Sequence, residues 1–234
     1  MNGDVTAIVP VRRWDHSKSR LDVAPAERAS LARAFSLDVL SVLVQSETAA
    51  QVVIVTDEPA CATLDVASTV VVVSQGADRS VRGRAGAIGL GVRWAMRHRA
   101  GSPVVAISPD LPSLTVTSFD DSLDLLSRHA LSYVRNADES GTTLIYAREP
   151  SLLNLTLGRR KALQHKSCHQ AACPEVDPRV RRDVDTIADL RAALALGVGP
   201  ETSTVCRRFP SYAAAAAREV DVDRQVLAAR LLWG

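Results

Sequence analysis

The stretch AIVPVRRWDHSKSRLD, residues 7–22, joins the end of an apolar run to a loop rich in cations. Its first residues are apolar and continue a short run, Thr6–Val9, that is typical of a strand buried on both faces. A helix follows, with Pro25 near its first turn, where proline is well tolerated. Four cations lie between the strand and the helix: Arg12, Arg13, Lys18 and Arg20. A cationic loop between a buried strand and a helix is a good place to bind phosphates.

Three further apolar runs are also continuous rather than alternating, which is the pattern of a largely parallel sheet. They are Val52–Val55, Val70–Val73 and Val104–Ile107. Helical segments are predicted over Ala26–Gln45 and Gly83–His98. Strand and helix therefore alternate, and the sequence predicts an α/β fold with right-handed crossovers.

The second half of the chain continues this pattern. Leu131–Arg135 and Thr142–Ala147 are predicted strands, and Thr186 with Asp189 three residues later forms a capping box that begins a helix. We expect one domain of Rossmann-like type over residues 1–199 and a helical extension over residues 200–234. The extension is expected to pack either on this domain or on a second subunit, which would give a homodimer.

Composition restricts the classes of function. The 234 residues are 47% hydrophobic, with 28 basic and 26 acidic side chains and 4% aromatic residues. This near balance of charge argues against nucleic acid or a membrane as the main partner, and few aromatic side chains are available for stacking on bases. The N-terminal residues resemble neither a signal peptide nor a membrane span, so we expect a cytoplasmic protein with reduced cysteines.

Three aspartates follow predicted strands at the positions where α/β proteins bind ligands. Asp110 ends the run VVAISPD, while Asp183 and Asp185 alternate in RRDVDT and would project to the same side of an extended chain. Carboxylates that converge in this way favour Mg²⁺ bound together with substrate phosphates. The alternative is structural, with Asp110 forming a turn and Asp185 standing next to a helix cap.

A fourth cluster, HKSCHQAAC, contains His165, Cys168, His169 and Cys173. Its residue types suggest zinc, but the spacing suits a tetrahedral site poorly. We interpret it as a polar surface segment.

Several motifs together resemble the 2-phospho-L-lactate and phosphoenolpyruvate guanylyltransferases of coenzyme F-420 biosynthesis, relatives of the nucleoside-diphosphosugar pyrophosphorylases. The resemblance extends from the N-terminus to about Gly199. The motifs are VPVRRWDHSKSRL, VVAISPDLPSL, DESGTTLIYA, LGRRKALQH and RRDVDTIADL. The resemblance implies a nucleotide-diphosphosugar-transferase type of fold.

The resemblance also implies roles for individual residues. Lys18 and Arg20 would hold the triphosphate of GTP, with Asp110 completing the catalytic set. Mg²⁺ would be held by Asp110, Asp183 and Asp185. The phosphorylated carboxylic acid would be bound by Thr142, Thr143, Gly158 and Lys161. In this chain Arg159, Arg160 and Lys161 replace the Pro-Gly-Ser that the family usually carries, and Ala85 stands in a segment where it usually has Gly-Leu-Asn.

The expected reaction joins GTP to phosphoenolpyruvate and releases pyrophosphate. The Arg- and Ala-rich composition indicates a GC-rich genome, and this context favours phosphoenolpyruvate over 2-phospho-L-lactate. Two alternatives stay open at this point. One is a nucleotidyltransferase that uses another phosphorylated acid or another nucleotide, and the other is a catalytically silent relative that binds nucleotide.

Overall fold

The computed structural model describes residues 4–63, 68–76, 83–157, 170–172 and 175–209. Its seven strands are β1 Val5–Val11, β2 Ala49–Thr56, β3 Val70–Ser74, β4 Val104–Ile107, β5 Leu131–Arg135, β6 Thr142–Ala147 and β7 Gln170–Ala172. Its α-helices are α1 Pro25–Gln45, α2 Gly83–His98, α3 Val116–Leu126, α4 Pro150–Leu157, α5 Pro178–Arg181, α6 Ile187–Ala195 and α7 Pro200–Arg208.

The seven strands form one sheet in the order β3-β2-β1-β4-β6-β5-β7. Strands β1 to β4 are mutually parallel where they pair, and β7 pairs parallel with β5. Strand β6 runs antiparallel to both of its neighbours, β4 and β5. The prediction of an α/β fold with a mostly parallel sheet is confirmed.

Both faces of the sheet are covered, which explains the unbroken apolar runs. Val5, Ala7, Val9 and Val11 of β1 join a core cluster with residues of α1, α3 and α5. Ile8 faces the opposite cluster, which includes residues of α2 and α4. Because both sets of alternating side chains are buried, β1 carries no polar face.

A glycine allows α2 to lie close to β1. A Cβ atom added at Gly91 would overlap the side chain of Ile8. Any larger residue at position 91 would therefore push α2 away from the centre of the sheet.

The helix ends follow the sequence signals. Thr186 accepts a hydrogen bond from the backbone N–H of Asp189, whose carboxylate in turn accepts one from the N–H of Thr186 at 2.8 Å. This is the predicted capping box. The helix ends at Ala195, and Gly197 follows with a φ of +82°, a left-handed conformation that glycine adopts without steric cost.

A third apolar cluster connects segments that are far apart in the sequence. It contains Leu21 from the loop after β1, Phe35 from α1, Val184, Leu190 from α6 and Cys206 from α7. Helix α7 lies against α1, where Asp38 accepts hydrogen bonds from the first backbone N–H groups of α7. This packing fixes the loop after β1 beside the segment that carries Asp183 and Asp185.

No α-helix within the described part of the chain is both long and apolar enough to cross a membrane.

Candidate active site

A cleft of about 700 Å³ opens at the carboxyl ends of β1 to β4. Its lining includes Arg12 and Lys18 after β1, Asp57 after β2, Gln75 after β3 and Asp110 after β4. Ligands of open α/β sheets bind beyond the carboxyl ends of the strands, because loops and helix N-termini converge there. The cationic loop between β1 and α1 therefore forms one wall of this cleft.

The loop between β1 and α1 is held in a defined conformation. Trp14 begins a short 3₁₀ turn, and its backbone N–H donates to Glu58 at 3.0 Å. Lys18 has a φ of +59°, in the left-handed region that non-glycine residues rarely adopt. The Lys18 carbonyl then accepts a hydrogen bond from the backbone N–H of Leu21, whose side chain is buried. The strained backbone turns the Lys18 side chain into the cleft instead of into solvent.

Lys18 lies between two of the predicted metal ligands. Its Nζ atom is 2.7 Å from Oδ2 of Asp110 and 3.1 Å from Oδ1 of Asp185. The Lys18 side chain is 4% exposed, compared with 28% for Asp110 and 35% for Asp185. Burial by itself lowers the pKa of the Lys18 ammonium, but the attraction of Asp110 and Asp185 outweighs it and raises the pKa. Lys18 is therefore a fixed positive charge at the base of the cleft.

Backbone hydrogen bonds bring the three aspartates together. The N–H of Val184, between Asp183 and Asp185, donates to the carbonyl of Asp110 at 3.0 Å. Further along, the N–H of Gly199 donates to the carbonyl of Pro112 at 2.9 Å. The segment that precedes α6 is thus attached to the loop after β4, although about seventy residues of sequence separate them.

Among the three carboxylates, the negative charge of Asp183 has the weakest hydrogen bonds and ion pairs to stabilise it. Its one side-chain hydrogen bond from a described residue is a long one, 3.4 Å from Nδ2 of Asn136. Burial raises the pKa of Asp183 to about 6, and the negative charge of Asp185 contributes to the same effect. A carboxylate that is costly to ionise in the free protein gains strongly from a cation that binds beside it.

Arg20 contributes less to the arrangement of the site than Lys18. Its guanidinium makes an ion pair with Asp185, but the Arg20 side chain is 71% exposed. An exposed pair of this kind adds little stability. Arg20 does not line the cleft itself, and its exposed side chain is free to move toward an anionic ligand that binds there.

Arg84 is a cation of the cleft that the sequence did not single out, and Arg12 of the predicted cationic loop also lines the cleft. Arg84, at the start of α2, faces Asp110, Asp183 and Asp185. Arg84 is exposed to the open cleft, yet desolvation by surrounding protein atoms lowers the pKa of its guanidinium. Neither Arg84 nor Arg12 makes an ion pair with any residue that the structure describes. Their charges remain available to a polyphosphate.

The residues expected to bind the acid do not meet in the cleft as Lys18, Asp110 and Asp185 do. Thr143 is fully buried in β6, where its hydroxyl lies 3.5 Å from the carbonyl of Val134 and its own carbonyl accepts from Ser108. Thr142 begins β6 and is partly exposed. Neither threonine lines the cleft. Gly158 and Lys161 lie outside the described residues, as do His165, Cys168, His169 and Cys173, so their roles stay predictions.

The described residues hold no group of three or more His, Cys, Asp or Glu side chains arranged as a metal cage. The donors that converge here are carboxylate oxygens, which suit a hard divalent cation. Asp110 and Asp183 could hold such an ion if phosphate oxygens supplied other ligands, since Mg²⁺ commonly binds through one or two carboxylates together with substrate phosphates.

Comparison with known proteins identifies relatives. The family described as "Guanylyl transferase CofC like" matches residues 5–175. Phosphoenolpyruvate guanylyltransferase 2 of Rhodococcus jostii (strain RHA1) is 33% identical over 200 residues, covering 86% of this chain and 89% of that protein. The phosphoenolpyruvate guanylyltransferase of Thermomonospora curvata is 34% identical over 208 residues, covering 88% and 90%.

Solved structures share the fold. A Desulfovibrio desulfuricans G20 protein described as a nucleotide-diphospho-sugar transferase superposes with a TM-score of 0.62 at 18% identity, covering 96% of this chain and 98% of that one. A 4-diphosphocytidyl-2C-methyl-D-erythritol synthase superposes with a TM-score of 0.57 at 13% identity, covering 84% and 99%. The match of the family to most of the chain confirms the resemblance seen in its motifs: the chain belongs to the CofC-like guanylyl transferase family.

Proposed function

We propose that this protein transfers the guanylyl group of GTP to phosphoenolpyruvate, giving enolpyruvoyl-2-diphospho-5′-guanosine and pyrophosphate for coenzyme F-420 biosynthesis. Family membership and the names of the relatives in Rhodococcus and Thermomonospora support this reaction. The structural observation that carries it is the buried Lys18 ammonium between Asp110 and Asp185, at the base of a cleft lined by further cations. Such a site suits the meeting of two phosphate-bearing molecules.

The reaction needs positive charge more than it needs a base. A phosphate monoester is largely ionised at neutral pH, so its oxygen can attack the α-phosphorus of GTP directly. A bond forms between that oxygen and the α-phosphorus, and the bond from the α-phosphorus to the bridging oxygen breaks as pyrophosphate leaves. The barrier is the approach of two anions and the charge that spreads over the reacting phosphate.

Lys18, Arg20, Arg12 and Arg84 are the side chains that meet this requirement. Lys18 is already buried and fixed, so it costs little reorganisation when negative charge develops beside it. Arg20 and Arg12 lie on the same loop and can follow the triphosphate as it enters. Arg84 lines the cleft from the start of α2. Together these cations would hold the nucleotide with its α-phosphorus near the base of the cleft.

The carboxylates are the residues to hold Mg²⁺. Asp110 and Asp183 would be its ligands, with Asp185 either a third ligand or the partner that retains Lys18. Bound Mg²⁺ would neutralise charge on the phosphates of GTP. The raised pKa of Asp183 fits this assignment, because a cation beside that carboxylate removes the penalty of its ionisation.

The acid is proposed to bind where β6 begins, next to the loop after β4. Thr142 lies at that edge, and the backbone N–H of Ser108 bonds to the carbonyl of Thr143 at 2.8 Å. Thr142, Gly158 and Lys161 remain the proposed contacts for its carboxylate and phosphate, whereas Thr143, which is fully buried in β6, would support them from within the strand. We place the reaction in the cytoplasm, where GTP and a phosphorylated acid are both available.

Pyrophosphate release by the purified protein tests this function. GTP with Mg²⁺ is offered with phosphoenolpyruvate, 2-phospho-L-lactate or 3-phosphoglycerate, and ATP and CTP replace GTP as controls. We expect release with GTP and phosphoenolpyruvate, its loss in Asp110→Asn, and its retention in Asp124→Asn, an exposed aspartate of α3. Preference for another acid would correct the substrate. No release with any pair, although GTP binds, would indicate a silent relative.

A further inference from the structure

Part of the cleft lining does not belong to the cluster formed by Lys18, Asp110 and Asp185. It is formed by Asp57 after β2, by Gln75 and Gly76 after β3, and by Gly83 and Ala87 at the start of α2. Among the described residues that line the cleft, Asp57 is the one acidic side chain outside the cluster around Lys18. None of the chemistry proposed above uses it.

Asp57 is held by one of its two carboxylate oxygens. The backbone N–H of Gly76 donates to Oδ1 of Asp57 at 3.0 Å, and the hydroxyl of Ser74 approaches the same atom at 3.4 Å. Gly76 has a φ of +69°, so the absence of a side chain allows the turn that presents its N–H to Asp57. Oδ2 of Asp57 accepts no hydrogen bond from a described residue, and Asp57 is exposed to the cleft.

An exposed, oriented carboxylate selects a partner that offers adjacent N–H donors. Guanine presents two on one edge, N1–H and the exocyclic amine at C2, and a carboxylate can accept both at once. Adenine carries an acceptor at N1, which would face a negatively charged oxygen. Cytosine carries an acceptor at N3, and uracil places its single N–H between two carbonyls. The chemistry of Asp57 therefore matches guanine and opposes the other bases.

We propose that Asp57 determines the nucleotide preference of this enzyme by accepting hydrogen bonds from N1–H and the 2-amino group of guanine. This inference rests on the proposed function, because it takes the cleft to be the nucleotide site. The triphosphate would then lie toward Lys18 and Arg12, while the base lies at the ends of β2 and β3. Gly76 and Ser74 act on the base through Asp57, because they keep its carboxylate in place.

Replacement of Asp57 by Asn gives a test with a predicted change of preference. Xanthine has a carbonyl at C2 where guanine has an amine, so an Asn side chain could accept from N1–H and donate to that carbonyl. In Asp57→Asn, kcat/KM for GTP should fall about 10- to 100-fold, because two paired hydrogen bonds to a base edge usually contribute that much discrimination. XTP should become the better substrate of this variant. The wild-type protein should prefer GTP over XTP and over ITP, which lacks the 2-amino group.

Asp124→Asn is the matched control, since it makes the same chemical change on the exposed side of α3. It should leave the GTP to XTP ratio at the wild-type value. An unchanged ratio in Asp57→Asn, with the variant folded by circular dichroism, would overturn the proposal. If Asp57→Asn does not fold, the relative kcat/KM of the wild-type protein for GTP, ITP and XTP tests the proposal instead. Equal use of the three nucleotides would overturn the proposal.

Binding separates this proposal from the proposed function. If the wild-type protein releases no pyrophosphate with any acid, the reaction fails, but calorimetric titration with GTP, XTP and ATP still measures base selection. Tighter binding of GTP, reversed toward XTP in Asp57→Asn, would support the role of Asp57 in a protein without transferase activity. Equal affinities in both proteins would overturn it.

Discussion

Two aspartates of this protein, the buried Asp38 and the half-buried Asp183, show how differently a carboxylate can be used. Burial raises the pKa of both. Asp38 is compensated by the fold, because the backbone N–H groups of Glu201 and Thr202 at the start of α7 donate to its two oxygens at 3.0 and 2.9 Å. Asp183 has one long hydrogen bond from Asn136 and stands near Asp185 and Asp110, which carry the same charge.

The comparison separates a structural carboxylate from a functional one. Asp38 fixes the first turn of α7 on α1, and a Cβ atom at Gly199 would collide with it, so this contact is tightly fitted. Asp183 instead remains poorly compensated in the free protein. Clusters of like charge are expected where a cation or a substrate completes the site.

Lys18→Ala should affect catalysis far more than any change at the Asp38 contact. Removal of the buried ammonium deletes a positioned charge next to the reacting phosphate. We expect kcat/KM for pyrophosphate release to fall by about 100-fold or more, as is typical when one charge-stabilising donor is lost. Steady-state kinetics with GTP and phosphoenolpyruvate measure it. A decrease of less than threefold would remove Lys18 from the active site.

Asp38→Asn should destabilise the protein without altering the chemistry. An amide at this position can accept from only one of the two N–H groups, and its NH₂ group faces the other. Leaving a buried donor unpaired costs about 1–3 kcal/mol, so the free energy of unfolding in urea should fall by that amount. The kcat of the folded variant should stay near the wild-type value. A loss of kcat with unchanged stability would assign Asp38 to the site.

The pH dependence of stability should reveal Asp183. Its pKa is about 6 in the folded protein and 3.8 in the unfolded chain, so the folded state binds more protons between these values. The free energy of unfolding contributed by this group therefore falls as pH rises from about 4 to about 6, by on the order of 2 kcal/mol. In EDTA, the difference between Asp183→Asn and wild type should grow over that range. A difference that does not change with pH would contradict the raised pKa.

Arg20→Ala should have the smallest effect on stability. The pair between Arg20 and Asp185 is exposed, so the free energy of unfolding should change by less than about 0.5 kcal/mol. If Arg20 holds the triphosphate, KM for GTP should still rise. Urea unfolding and GTP kinetics on the same preparation measure the two effects. A large loss of stability would mean that Arg20 is a structural residue.

The sequence predicted the parts of the fold and site that depend on local pattern. The strands up to β6 and the capping box at Thr186 are visible in residue spacing. The meeting of Lys18 and Asp110 also follows from a general rule, since residues after parallel strands converge at one edge of the sheet. The prediction that a strand precedes Asp183 and Asp185 was wrong, because both follow the short helix α5, and the hydrogen bond from the N–H of Val184 to the carbonyl of Asp110 holds their segment at that edge.

The remaining features depend on tertiary structure. Arg84 and Asp57 belong to segments whose proximity to the site requires the strand order, which a single sequence does not provide. Thr143 is buried because β6 pairs with β4 and β5, and the alternation of side chains along the strand places it inside. The left-handed backbone conformation of Lys18 could not be predicted from the sequence, because lysine rarely adopts a positive φ. A signal for Asp57 did exist, namely an acidic residue directly after a buried strand.

The most direct test of the central contrast measures activity and stability of Asp183→Asn in one preparation at pH 7.5. Asn keeps the shape and can still accept from Asn136, but it removes the ionisation penalty. We predict that pyrophosphate release with GTP, phosphoenolpyruvate and Mg²⁺ falls by about 100-fold or more. We also predict that the unfolding free energy without divalent cations rises by about 2–3 kcal/mol. Retained activity, or a loss of activity together with a loss of stability, would contradict the assignment of Asp183 to the active site.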